Sequence, residues 1–197
     1  MNNMTKRGFF VLLVLGTLVF AGCRGPVTKP SPLMKPTAAP VGPPVAGKSA
    51  VMIHRPRAAQ GYGLYTGVWD STNFLADLGN GHSVAYLCEP GTHYLINRSV
   101  ERVGVVEAQL LPDQTYDLWL DTCGGFIASF QLEPIKSGDK KRRDVPEWTR
   151  ENLWLTRAPA AAAHEQQRQR DIQIILMDFT SGEKKDRVRH LTVEDHR

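Results

Sequence analysis

Alternating apolar and polar positions mark the middle of the chain. The clearest case is the segment FIASFQLE, which begins at Phe126. Its apolar positions are Phe126, Ala128, Phe130 and Leu132, and Ile127 is the one exception among the intervening residues. A period of two with one polar face is typical of a strand that packs on one side and meets solvent on the other.

Shorter runs of the same kind predict further strands at 50–54, 65–69, 73–78, 83–88, 92–97, 103–110 and 115–122. Turn signals separate them, among them Gly79-Asn80-Gly81 and Pro90-Gly91. Seven or so short strands with turns every 8–12 residues are typical of an antiparallel sandwich or barrel. We therefore expect a mainly β fold, an antiparallel β-sandwich domain over residues 49–135.

The pattern changes in residues 136–197, a predicted loop followed by a C-terminal helical extension. A helical turn is expected within 146–157, where two tryptophans would pack on the sandwich. Residues 160–178 favour a helix, and one apolar face is formed by Ile172, Ile175, Leu176 and Phe179. The same run is β-branched enough to form a strand, so both structures remain open for 172–179. The charged tail from Glu183 is expected to fray.

The N-terminal residues have the pattern of a secretory signal peptide over residues 1–22. Lys6 and Arg7 precede an uncharged apolar run at 9–20, which small residues follow. That run is shorter than the roughly 20 residues that a membrane-spanning helix needs. After it, residues 23–48 contain seven of the protein's 13 prolines and predict an extended tether.

The junction Phe20-Ala21-Gly22-Cys23 resembles the lipobox of bacterial lipoproteins, with Phe20 in place of the usual leucine. This resemblance implies that the chain is cleaved before Cys23 and that a diacylglycerol is attached to the Cys23 thiol. The lipid would then hold the protein to a membrane. Arg24 follows the cysteine, where an aspartate would retain such a protein in the inner membrane. The resemblance therefore implies a lipid-anchored protein of the cell envelope, in the outer membrane and facing the periplasm.

The net charge and the cysteines indicate which partners and which cellular compartment are expected. The net charge is +4, of which Lys6 and Arg7 contribute two, so the mature chain gives no argument for nucleic acid. Cys88 and Cys123 lie at predicted strand ends. In an oxidising compartment they could form a disulfide, or they could be two independent buried thiols.

Residues 49–135 also resemble a small domain of unknown function found in bacterial lipoproteins and similar to PEGA-type modules. The resemblance depends on the order of Ile53-His54-Arg55-Pro56, Leu78-Gly79-Asn80-Gly81, Glu89-Pro90-Gly91-Thr92-His93 and Gln114-Thr115-Tyr116. It implies a sandwich of immunoglobulin or transthyretin-like shape. It implies no activity, because none is established for that domain.

Candidate chemistry is sparse. No nucleophile, P-loop or HExxH motif is present, so no catalytic residue, metal or cofactor is expected. The basic run Lys140, Lys141, Arg142 and Arg143 is either a solvated loop or a contact for an anionic surface. Tyr62, Tyr65 and Trp69 form either a recognition loop or a cover for an open end of the sandwich. The recognition alternative predicts that Trp69→Ala weakens partner capture without lowering the melting temperature.

These features favour a non-enzymatic, membrane-anchored module that binds an envelope protein or glycan. A first alternative is an assembly accessory of an envelope complex that docks through the C-terminal helix. A second, less favoured alternative is an envelope hydrolase or metal-dependent enzyme.

Overall fold

The computed structural model describes residues 24–100, 102–124 and 128–197. The predicted signal peptide and Cys23 lie outside these ranges, as does Phe126. No helix within the described ranges is both long enough and apolar enough to cross a membrane.

Short strands and two α-helices make up most of the described chain. The strands are β1 (Met34–Pro36), β2 (Ser49–Arg55), β3 (Thr66–Asp70), β4 (Asn73–Leu78), β5 (His82–Cys88), β6 (Gly91–Arg98), β7 (Val103–Leu110), β8 (Thr115–Cys123), β9 (Ser129–Pro134), β10 (Leu153–Arg157) and β11 (Arg189–Leu191). The helices are α1 (Val145–Glu151) and α2 (Ala161–Thr180), with 3₁₀ turns at Lys140–Arg143, Lys185–Arg187 and Val193–Asp195.

The strands form two mixed sheets. The first sheet has the order β1-β10-β5-β2-β8-β9, and the second has the order β11-β7-β6-β3-β4. The mainly β prediction is confirmed, but a purely antiparallel sandwich is not, because β10 with β5, β2 with β8 and β11 with β7 run parallel. Alternation in sequence reports which face a residue occupies and not the direction of its neighbour, so it could not show these pairs.

One apolar core joins the two sheets. Val51 and Leu118 of the first sheet are fully buried, as are Val68 and Leu95 of the second, and all four belong to the same cluster of contacting side chains. The Gly79-Asn80-Gly81 and Pro90-Gly91 turns both carry the chain between the two sheets, since β5 lies in the first sheet while β4 and β6 lie in the second.

Helix α2 covers the outside of the second sheet, as the apolar face over 172–179 predicts. Ile172 and Phe179 are buried, and Ile175 and Leu176 pack against the same core. Near its start, Glu165 accepts a hydrogen bond from the Phe74 amide at 3.1 Å. The apolar face of the helix is therefore used within the domain.

The outer face of the first sheet is covered by α1 and by residues before it. Trp148 of α1 packs with Val145 and Ile135 against Trp119 of β8. Trp154 of β10 packs on Ala50 and Met52 of β2. Both tryptophans thus pack on the first sheet, and Leu153 to Arg157 form a strand and not part of the predicted helical turn.

The prediction of a free tether over residues 23–48 is wrong for the part that begins at Arg24. Thr28 accepts a hydrogen bond from buried His82, and its amide donates to the Asn80 carbonyl at 3.0 Å. Strand β1 then pairs with β10 and buries Met34 in the core. Proline-rich composition shows that a segment makes few hydrogen bonds of its own, but the folded domain supplies the partners here.

Candidate functional site

The predicted recognition loop is largely a structural element. Trp69 is only 2% exposed, lies in β3 and packs edge-on against Phe74 with ring centroids 5.0 Å apart. Tyr65 donates a hydrogen bond to the Lys29 carbonyl at 2.6 Å, and only Tyr62 is substantially exposed. A recognition role for Trp69 is therefore wrong, and the alternative in which these aromatics cover the sandwich fits Trp69 and Tyr65.

The basic run divides between the fold and the surface. Arg142 turns inward and donates to the carbonyls of Asp195 and Ile135, at 2.7 and 3.3 Å. Lys141 lies 4.4 Å above the ring of Trp119. Lys140 and Arg143 are exposed. The predicted contact of all four residues with an anionic surface therefore fails for Arg142.

A disulfide between Cys88 and Cys123 is excluded, and both thiols are free. Cys88 pairs with Ser49 at one end of β2, beside the start of β8. Cys123 lies at the far end of β8, about 26 Å away at ~3.3 Å per residue. Bonded cysteines have Cα atoms within about 7 Å, so strand ends in sequence were a poor guide to proximity.

Cys88 instead adjoins a polar cluster that joins the two sheets at one end of the sandwich. His93 of β6 donates from Nδ1 to Asp70 Oδ2 at 2.7 Å and from Nε2 to the Glu89 carbonyl at 2.8 Å. Tyr86 of β5 donates to the same Asp70 oxygen at 2.7 Å. The hydrogen bonds to Asp70 and Cys88 raise the pKa of His93 to about 10. Burial and Asp70 also raise the pKa of Tyr86.

This cluster predicts a specific pH dependence of stability. The pKa of His93 is about 10 in the folded state and ~6.5 in an unfolded chain. The contribution of protonated His93 to the free energy of unfolding is therefore fully present below pH ~6.5. It is lost as the pH rises through the folded pKa. We expect the wild type to lose about 2 kcal/mol between neutral pH and pH ~10 that His93→Gln does not lose. Urea unfolding at several pH values measures the difference, and parallel curves for the two proteins would contradict it.

A second network, which sequence patterns did not reveal, lies under α1. Ser83 is hydrogen-bonded to His54 Nδ1 at 2.9 Å, and His54 Nε2 lies 3.4 Å from Asp117 Oδ1. Asn152 donates to Ser83 at 2.9 Å. A hydroxyl, an imidazole and a carboxylate in series are also the components of a hydrolase site. Here Ser83, His54 and Asp117 are at most 1% exposed, and Trp148 and Trp154 contact the His54 ring, so substrate has no access. Through Asn152, which follows α1 directly, the network attaches the end of α1 to β2 and β5 of the first sheet.

The best candidate for a ligand site is a cleft of about 750 Å³ beside the C-terminal end of α2. It lies between the start of β7, strand β9 and the segment that connects α2 to β11. The residues that line it are Arg102, Val103, Gln131, Phe179, Lys184, Asp186, Arg187, Val188 and Arg189. Its volume is within the range of ordinary ligand pockets.

Local structure explains how these residues meet. Helix α2 ends at Thr180, and two residues later a Cβ at Gly182 would lie 2.8 Å from the Asp178 carbonyl oxygen, so the turn that follows the helix requires glycine. The following segment then pairs with β7 in parallel through β11. The prediction that the tail from Glu183 frays is therefore wrong, because a three-residue strand leaves no periodic signal in sequence.

The cleft has an apolar floor and a basic rim. Phe179 is buried at the floor, beside Val103 and Val188. Two cationic side chains of the rim already form ion pairs within the protein. Arg189 pairs with Glu133 at 2.5 Å, and Lys184 pairs with Asp178 at 3.1 Å.

The other two cations of the rim are Arg102 and Arg187. Within the described ranges, neither has a carboxylate within ion-pairing distance. Each presents planar guanidinium donors that suit carboxylate or phosphate groups. The arrangement can hold an anionic group against an apolar surface.

Comparison with known families finds no match for this sequence, and no curated protein is significantly similar to it. The lipoprotein and PEGA-type resemblances therefore stay predictions.

Proposed function

We propose that the chain is a cell-envelope lipoprotein whose folded part is a non-enzymatic binding module. Its anchor is lipid on Cys23, and its place is the outer membrane, facing the periplasm. The charged start, the apolar run and the lipobox-like junction support this anchor. The folded part contributes the site, and its partner is an anionic envelope ligand, protein or glycan.

The observation that carries the proposal is the basic cleft. Arg102 and Arg187 approach it from segments far apart in sequence, over a floor that contains Phe179. The guanidinium groups of Arg102 and Arg187, which have no ion-pair partner among the described residues, are the ones that would hold an anion. Among the described residues that line the cleft there is no histidine or thiol, and Asp186 is the one carboxylate. The arrangement therefore suits binding better than proton transfer or nucleophilic attack.

Charge reversal at the rim tests the proposal. We expect Arg102→Glu/Arg187→Glu to weaken binding of an acidic polysaccharide such as polygalacturonate at least ~10-fold, because two charge-assisted contacts become repulsive. Isothermal titration calorimetry at low and moderate salt measures the dissociation constant.

The matched control is Lys35→Glu/Arg170→Glu, which changes the net charge by the same amount on exposed residues outside the cleft. It should bind like the wild type. Equal weakening in both double variants would show attraction to net charge alone and would contradict a site in the cleft.

A further inference from the structure

The N-terminal end of the described chain is bound to the domain from its first residue. Arg24 forms ion pairs with Glu147 and Glu151 of α1, the second at 3.1 Å. The Gly25 carbonyl accepts a hydrogen bond from Arg57 Nε at 3.0 Å. The Pro26 carbonyl accepts one from Asn80 Nδ2 at 2.8 Å. Arg24 is therefore fixed beside α1.

This placement determines how far the domain stands from a lipid on Cys23. A tether over residues 23–48 would reach about 80 Å at ~3.1 Å per residue. Cys23 is instead the residue next to Arg24, and consecutive Cα atoms are ~3.8 Å apart. An anchor at Cys23 thus attaches directly beside α1, and the domain has no long spacer.

The surface around this point carries exposed positive charge. Arg57 and Trp148 line a small hollow together with Arg24. Arg150 of α1 has a side chain that is 72% exposed. The 3₁₀ turn Lys140–Arg143 directly precedes α1, and Lys141 lies 5.8 Å from the Trp148 ring. We call this surface the anchor face and define it by Arg24, Arg57, Lys140, Arg143 and Arg150.

Three carboxylates of this surface are paired with cations, and a fourth, Asp139, accepts a hydrogen bond from the Lys141 amide at 2.9 Å. Asp144 pairs with Lys141, Glu147 with Arg24, and Glu151 with both Arg24 and Arg150. Within the described ranges, Lys140 and Arg143 have no carboxylate within ion-pairing distance. The anchor face therefore keeps unpaired positive charge, which is complementary to anionic lipid headgroups.

We propose that the anchor face lies directly against an anionic phospholipid surface, with α1 at the headgroups and α2 on the far side of the two sheets. The lipid part of this inference rests on the proposed anchor at Cys23. The surface itself is identified by the contacts of Arg24 and by the unpaired cations. The cleft beside α2 then opens away from the anchored side, where a ligand has access to it.

Hydrogen exchange on the purified, processed lipoprotein tests this orientation. The protein is reconstituted in vesicles of phosphatidylglycerol with phosphatidylcholine and, separately, in vesicles of phosphatidylcholine alone. We expect amides of α1 and of the 3₁₀ turn Lys140–Arg143 to exchange about tenfold more slowly in the anionic vesicles, because basic residues are attracted to anionic headgroups and hold this face against the surface.

Two double variants separate the outcomes. Lys140→Glu/Arg143→Glu should lose the protection, whereas Arg102→Glu/Arg187→Glu should retain it. Unchanged exchange of α1 between the two vesicles, or equal loss in both variants, would overturn the orientation. Mass spectrometry of the N-terminal peptide reports the lipid independently: an unmodified Cys23 would overturn both the anchor and the orientation, while a lipidated Cys23 without protection would overturn the orientation alone.

Discussion

Replacement of Trp69 by alanine is expected to lower the free energy of unfolding by about 3–5 kcal/mol. The indole is 2% exposed and lies between the second sheet and α2, against Phe74 and the His164 ring. Loss of the indole leaves a cavity between the second sheet and α2 that these two elements cannot fill by moving together. Since a domain of this size has a total stability of about 5–15 kcal/mol, the loss removes at least about a fifth of it and should lower the melting temperature.

Urea unfolding followed by circular dichroism measures this loss, and Tyr62→Ala is the control. Tyr62 is about half exposed, so its removal should change stability by less than ~1 kcal/mol. A Trp69→Ala protein as stable as the wild type would restore the recognition role that the Gly- and Tyr-rich segment suggests in sequence.

Arg55→Ala is expected to destabilise the fold by a similar amount, about 3–5 kcal/mol. The guanidinium is 2% exposed and donates to the carbonyls of Leu64, Leu78 and Gly61, at 2.5, 2.7 and 2.7 Å. It also lies 3.9 Å from the centre of the Phe130 ring. Burial lowers the pKa of Arg55 to about 10, so the side chain stays charged at neutral pH.

Arg55→Ala destabilises the fold because it leaves the three carbonyls without hydrogen-bond donors. Arg57→Ala is the matched control, because Arg57 makes a single side-chain hydrogen bond to the described part of the chain, to the Gly25 carbonyl. It should lose ~1 kcal/mol or less. Arg55→Lys should fall between the wild type and Arg55→Ala, since an ammonium cannot reproduce the fork of the guanidinium. Equal midpoints for Arg55→Ala and Arg57→Ala would show that the buried guanidinium is dispensable.

Strand positions were predictable where alternation extends over several residues. Strands β4 and β7 have the predicted bounds, and β2, β5, β6 and β8 differ by one or two residues at their ends. Helix α2 covers the predicted 160–178 within two residues at each end. In these segments the burial pattern repeats often enough to identify the period.

The parts that were missed depend on distant partners. Strands β1 and β11 have three residues each and become strands only through β10 and β7. Strand β10, LWLTR, follows α1 closely, so the pattern over 146–157 predicts a helical turn in place of the strand. The cleft combines Arg102 with Arg187, and neither residue stands in a motif. Sequence could identify the basic run at 140–143 but not that Arg142 turns inward to hold the C-terminal residues.

The attachment of Arg24 to α1 also has a consequence for the order of folding. Arg24 and Glu147 are 123 residues apart, and β1 waits for β10, which comes later still. Contacts between such distant positions form late, after the intervening strands have paired. Arg24 and β1 therefore have no partners on α1 and β10 until residues 145–157 have been synthesised, and a truncated chain that lacks α1 and β10 would never supply them.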